Sequence, residues 1–114
     1  MARLLLVDPR ERFRGTLPPA LERRKHFVQV VTTGREAVYH LQQANPRYDV
    51  VIIDLSANEQ SDWETLDSIR RVTIADCSRP LVLCVSDRQL GPGVKLDVER
   101  KGGRLVVLHE RQVL

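Results

Sequence analysis

The sequence has no long hydrophobic run and only two cysteines. These two features narrow the class of protein to which it can belong. Its apolar stretches are far shorter than the roughly 20 residues that span a membrane. The N-terminal MARLLLVD is too short for the hydrophobic region of a secretion signal. Cys77 and Cys84, with six residues between them, match no common zinc or redox spacing. We therefore expect a cytoplasmic protein with reduced thiols and no membrane contact.

Aromatic residues and lysine are also scarce. Aromatics make up 4% of the chain and none follows Trp63, while arginine outnumbers lysine 15 to 3 within a net charge of +3. Six basic residues gather near the N-terminus: Arg10, Arg12, Arg14, Arg23, Arg24 and Lys25. Because no recognised nucleic-acid motif accompanies them, we interpret the cluster as a solvated helix face, and nucleic acid is not indicated as a partner.

What the sequence does contain is a series of short apolar segments within a length suited to one domain, residues 1–114. Five segments rich in Val, Ile and Leu have the length of β-strands: 3–8, 27–33, 49–54, 81–86 and 104–109. Four of the five are almost continuously apolar. That pattern is typical of strands covered by helices on both faces, as in a parallel sheet.

Helical patterns separate these strands. Residues 34–44 and 61–75 have apolar residues at helical spacing, and Ser61 and Glu64 have the spacing of a capping box. The glycine-rich stretch 87–103 leaves room only for a short helix around VKLDVER.

Residues 10–25 are less regular, because Pro18 and Pro19 predict either a kink or a helix that starts at the prolines. The alternation of strands and helices predicts an α/β fold with a doubly wound, five-stranded parallel sheet of the flavodoxin-like type.

Polar residues stand where these strands end, and in such sheets function gathers at the carboxyl edge. Asp8 follows the first strand, Asp54 the third, Ser86 the fourth and His109 the fifth. Carboxylates, a hydroxyl and a cationizable group suit a hard divalent cation and a phosphoryl group. An aspartate can also accept a phosphoryl group as a nucleophile.

Three stretches resemble the receiver domains of two-component response regulators, and the resemblance covers nearly the whole chain. They are LLLVDPRERFR, YDVVIIDLSANEQSDWETL and PLVLCVSD. The resemblance implies that Asp54 is the phosphoacceptor, Ser86 the switch hydroxyl and Asp8 a member of the acidic pocket. It further implies that Asp8, Asp54 and the backbone carbonyl of Ser56 bind Mg²⁺, and that His109 stands at the usual lysine position.

Several positions depart from the receiver pattern. Pro9 and Arg10 follow Asp8 where the family has a second acidic residue, and Asp62 stands where glycine is frequent. The fifth strand also lacks the family's aromatic residue. We therefore expect a degraded acidic pocket with weak Mg²⁺ binding, and we hypothesise that Arg10 enters the pocket and neutralises Asp54 without a metal.

Only five residues follow His109, so the last helix of the receiver fold is expected to be missing. An uncovered apolar strip beside strands four and five would then favour a homodimer.

Two functions remain open on these grounds. One is a signal-transduction receiver in a two-component phosphorelay, a phosphoprotein in which a sensor histidine kinase or phosphotransfer protein phosphorylates Asp54. The other is a pseudo-receiver that acts as a protein-interaction and dimerisation module without phosphorylation. We do not expect an enzyme, because DPRERFR is neither a phosphate-cradling loop of a flavodoxin nor the paired aspartates of a haloacid-dehalogenase phosphatase.

Overall fold

The computed structural model describes residues 1–43, 47–75 and 80–108. Five strands form one parallel sheet in the order β2-β1-β3-β4-β5. Their bounds are β1 Arg3–Val7, β2 Phe27–Val31, β3 Val50–Asp54, β4 Leu81–Ser86 and β5 Arg104–Val107. The predicted flavodoxin-like α/β fold with a five-stranded parallel sheet is confirmed.

Four helices connect the strands within the described residues: α1 Leu17–Arg23, α2 Gly34–Leu41, α3 Gln60–Ala75 and α4 Val94–Arg100. No helix in these ranges is both long and apolar enough to cross a membrane. The predicted fifth-strand residue His109 lies outside the described residues, as does Cys77.

Local sequence explains where the helices begin. Helix α1 starts at Leu17, so Pro18 and Pro19 occupy its first turn, where no intrahelical amide donor is needed. The structure therefore supports a helix that starts at the prolines. Helix α2 is capped by the Thr33 side chain, which accepts a hydrogen bond from the Glu36 amide at 3.0 Å.

Helix α3 begins one residue before the predicted Ser61. The Asp62 carboxylate accepts the Glu59 backbone N–H at 3.1 Å, so Asp62 rather than Glu64 reaches back to cap this helix. The predicted capping box of Ser61 and Glu64 was therefore wrong. Ser61 already lies inside the helix, and the capping hydrogen bond joins Glu59 and Asp62 instead.

Two apolar clusters cover the two faces of the sheet. The larger joins strand residues such as Leu5, Val51 and Ile53 to Leu66 and Ile69 of α3. The smaller cluster is centred on Leu4, Leu6, Phe13, Ile52 and Val85 on the other face.

Part of this second face remains open to solvent. Helix α1 packs there, on the β2 side of the sheet. At the β4–β5 end, Leu81 is 45% and Val106 38% exposed, and Leu83 is half-buried.

Parallel strands bring their carboxyl ends to one edge, and this edge positions the polar side chains. The register pairs Val7 with Ile53 and Asp54 with Val85. Asp8, Asp54 and Ser86 therefore meet on three neighbouring strands, and each is fully buried.

Candidate functional site

Asp8 organises the loop between β1 and α1 through backbone hydrogen bonds. Its carboxylate oxygens accept the N–H groups of Arg12 at 2.9 Å and Phe13 at 3.1 Å. The turn also requires Glu11 in the left-handed region, with φ 58°. Since each oxygen accepts a backbone amide of the loop, Asp8 anchors this loop.

Asp54 ends β3 as a buried carboxylate with one oxygen paired and one unpaired. Oδ1 accepts the Ser56 N–H at 2.8 Å. Oδ2 has no hydrogen-bond partner among the described residues. Two guanidinium nitrogens face it, Arg10 Nη1 and Arg12 Nε, each at 3.9 Å. At an effective dielectric constant near 20, one such charge pair at about 4 Å has a Coulomb attraction of about 4 kcal/mol. This attraction offsets part of the cost of burying the carboxylate.

Arg10 is held in place by the start of α3. Its Nη2 donates to both carboxylate oxygens of Asp62, at 3.0 and 3.3 Å, and lies 3.1 Å from Glu59 Oε2. Burial tends to lower the pKa of Arg10, but hydrogen bonds to Asp62 and Glu59 outweigh it and raise the pKa above its ordinary value. Arg10 is therefore a permanent cation.

The Nη1 atom of Arg10, like Asp54 Oδ2, is buried and lacks a hydrogen-bond partner in the part of the chain that the structure describes. The two unpartnered atoms face one another across 3.9 Å. They attract each other through charge, beyond hydrogen-bonding distance.

Arg12 connects the same loop to the end of β4. Its Nη1 donates to Asp87 Oδ2 at 3.0 Å, and Asp87 Oδ1 accepts from Arg88 Nε at 3.0 Å. The Asp87 backbone N–H donates to Ser56 Oγ at 3.0 Å. The hydrogen bond from Arg88, supported by those involving Ser56 and Arg12, lowers the pKa of Asp87 despite the opposing effect of burial. Arg10 and Arg12 thus tie three loops together at the carboxyl edge.

The Ser86 hydroxyl is satisfied within its own turn. Oγ donates to the Arg88 carbonyl at 2.6 Å and accepts the Arg88 N–H at 3.1 Å. The role of Ser86 as the switch hydroxyl therefore stays a prediction. In the described part of β5, Arg104–Val107, no aromatic side chain is present to accompany such a switch.

The arrangement does not suit the Mg²⁺ ion that the receiver resemblance implies. Asp8 is occupied by amides, Pro9 offers no carboxylate, and two guanidiniums face Asp54. With Arg10 in place, residues 1–43, 47–75 and 80–108 include no group of three or more His, Cys, Asp or Glu side chains that could hold a metal. A divalent cation placed at Asp54 Oδ2 would meet two positive charges at short range.

Several residues of this site escaped sequence reasoning. From the sequence we interpret Arg12 as part of a solvated helix face, whereas the structure places it in a loop, where it binds Asp87. Asp62 was noted only as a departure from glycine, yet it is 3% exposed and holds Arg10. Pairings across more than 50 residues leave no local signal. The hypothesis that Arg10 enters the pocket agrees with its position beside Asp54.

Comparison with known proteins places the fold in a definite class. No family model and no curated protein matches the sequence. The chemotaxis protein CheY4 of Vibrio cholerae is similar in structure, with a TM-score of 0.74, 22% identity, and coverage of 96% of this chain and 87% of that one. A response regulator from Thermotoga maritima matches with a TM-score of 0.75 and 18% identity over 94% of this chain and 84% of its own.

The receiver domain of the histidine kinase CKI1 from Arabidopsis thaliana, as a mutant, matches with a TM-score of 0.74 and 18% identity, over 93% and 79% of the two chains. The chain therefore has the fold of response regulator receiver domains. Since the identities are low, the comparisons establish this fold alone, and function has to be argued from the site.

Proposed function

We propose that this domain is a receiver-type signalling module that acts by protein contact, with an acidic site held by arginine and independent of phosphoryl transfer. The supporting observation is the position of Asp54 Oδ2, fully buried and 3.9 Å from both Arg10 and Arg12. The guanidiniums already offset the charge that a metal ion offsets in an active receiver. The domain is regulatory rather than enzymatic in this proposal, and its free, buried Cys84 suits the reducing cytoplasm.

The test is phosphorylation by a small donor. The protein is incubated with acetyl phosphate and MgCl₂, with a phosphorylatable receiver domain treated in parallel, and intact masses are measured. We expect no phosphoryl adduct on this chain while the parallel receiver gains one. An adduct that is lost in Asp54→Asn would overturn the proposal.

A second candidate is a phosphorelay receiver, favoured by the unpaired Oδ2 at the mouth of β3. There a sensor histidine kinase or phosphotransfer protein would supply the phosphoryl group. Asp54 Oδ2 would attack phosphorus, a new O–P bond would form, and the P–N bond to the donor histidine would break as the imidazole leaves. Arg10 and Arg12 would receive the phosphoryl oxygens. Slow Asp54-dependent labelling that weakens in Arg10→Met would support this candidate.

Protein contact also has a candidate surface, the apolar strip of Leu81, Leu83 and Val106. Since β5 is an edge strand and this end of the sheet face is partly exposed, we propose that a second copy of the chain covers it in a homodimer. A two-fold arrangement would bring the same apolar strip of each copy together.

A further inference from the structure

A buried carboxylate oxygen without a hydrogen-bond donor is stabilised in its ionised form by a nearby positive charge. Asp54 Oδ2 is such an atom within the described residues, and the side chain is fully buried. Two more carboxylates, Asp62 and Glu59, lie on the far side of Arg10. Without Arg10, this part of the site would present three acidic groups and invite a cation.

Arg10 is fixed where it can serve as that cation. Its Nη2 binds Asp62 and Glu59, and its buried Nη1 faces Asp54. The guanidinium is attached to the chain, so it has no dissociation equilibrium with solution. The adjacent Pro9 removes the position from which a second strand-end carboxylate would extend. Where the receiver pattern has a second acidic residue, this loop carries Pro9 followed by the basic Arg10.

We infer that Arg10 is the resident cation of this site and excludes divalent metal ions from it. A metal ion and the guanidinium would compete for the same oxygens of Asp54, Asp62 and Glu59. Replacing Arg10 with a neutral side chain removes one positive charge, frees the oxygens of Asp62 and Glu59, and leaves Arg12 as the guanidinium that faces Asp54. The variant should therefore gain a metal site that the natural protein lacks.

The experiment measures bound Mn²⁺ directly by electron paramagnetic resonance of the full chain, because the signal of free Mn²⁺ falls on binding. We expect no saturable binding to the natural protein at millimolar Mn²⁺. Arg10→Met should bind Mn²⁺ at least roughly tenfold more tightly than the natural protein does. Adding Asp54→Asn to Arg10→Met should abolish the gain. The matched control is Arg14→Met, because Arg14 is 41% exposed and, among the described residues, pairs with Glu11 outside the site.

Two results would overturn the inference. One is saturable, Mg²⁺-displaceable Mn²⁺ binding by the natural protein that disappears in Asp54→Asn. The other is a folded Arg10→Met with the same Mn²⁺ binding as Arg14→Met. Circular dichroism checks folding, and Arg10→Gln replaces Arg10→Met should the latter unfold. The measurement on the natural protein requires no arginine variant.

The inference and the proposed function concern the same site, but their experiments can fail separately. A phosphoryl adduct in the absence of Mn²⁺ binding would overturn the phosphorylation-independent proposal and leave Arg10 as the resident cation. Mn²⁺ binding without an adduct would do the reverse.

Discussion

At the scale of single residues, Asp8 anchors the loop between β1 and α1. Its carboxylate binds the amides of Arg12 and Phe13 and thereby shapes the loop that places Arg10 and Arg12 over Asp54. A buried carboxylate that accepts two amide hydrogens is stabilising, and its removal leaves those amides without a partner.

Replacing Asp8 therefore lowers stability. We expect Asp8→Ala to reduce the free energy of unfolding by about 3 kcal/mol and Asp8→Asn by less, since Asn retains one acceptor oxygen. Urea denaturation followed by circular dichroism measures both. Asp97→Ala is the control, because Asp97 is exposed on α4 and, in the described part of the chain, forms a 3.7 Å ion pair with Arg100. Equal losses in Asp8→Ala and Asp97→Ala would contradict the anchoring role.

The Cys84 thiol gives a pH-dependent prediction. Burial, with a smaller contribution from the negative charge of Asp62, raises the pKa of Cys84 from 9.0 to about 12. The unfolded chain therefore loses this proton at lower pH than the folded chain. Stability from this group is complete below pH 9 and declines as the pH rises toward 12.

By pH 10 the loss attributable to Cys84 should be about 1.4 kcal/mol. The free energy of unfolding is measured at about pH 8 and about pH 10 for the natural protein and for Cys84→Ala. Other alkaline groups titrate in both proteins, so the difference in slope isolates the thiol. Parallel slopes would show that the thiol does not contribute.

At the scale of elements, helix α2 lies close to helix α3 at Gly34. A Cβ atom added there would lie 2.6 Å from Thr65 Oγ1 and 3.2 Å from Thr65 Cβ. Contacts this short force the helices or the threonine to move, since protein interiors are close-packed. Glycine at the first residue of α2 therefore serves the packing of α3, the helix whose first turn holds Arg10.

Gly34→Ala should lower the free energy of unfolding by about 1–2 kcal/mol, and adding Thr65→Ala should restore much of it. Thermal and urea unfolding of the single and double variants measure this coupling. Gly15→Ala is the control, because no described atom lies within 4 Å of the added methyl. A Gly34→Ala protein as stable as Gly15→Ala would contradict the close approach.

The elements were predictable to the extent that their signals are local. Segments of strand length rich in Val, Ile and Leu located all five strands, and Pro18 and Pro19 indicated the start of α1. The position of Asp54 at a strand end followed from the same segments. The partners of Arg12 and Asp62 did not, because ion pairs between distant loops depend on the completed sheet. The role of Asp8 was equally inaccessible, since its partners are backbone amides.

For the molecule as a whole, the unevenly covered sheet predicts association. Leu81 and Val106 are exposed at the β4–β5 end of the face on which α1 packs. We expect sedimentation velocity to show a concentration-dependent dimer in the micromolar range. Val106→Glu should shift it to monomer by placing a charge in the contact. Tyr39→Glu is the control, because Tyr39 is 63% exposed on α2, which packs on α3 away from this strip. A monomer throughout this range would contradict the dimer.

The ion pairs of Arg10 and Arg12 also affect how a cell can regulate such a domain. Arg10 and Arg12 join the β1 loop to the loops after β3 and β4 through bonds within one chain. Unlike a bound metal ion, a guanidinium that is part of the chain cannot be removed by a chelator or lost when the cellular magnesium concentration falls. The shape of this edge is then settled at folding. Under the proposed phosphorylation-independent function, a cell would regulate this domain through the number of copies, by synthesis and degradation.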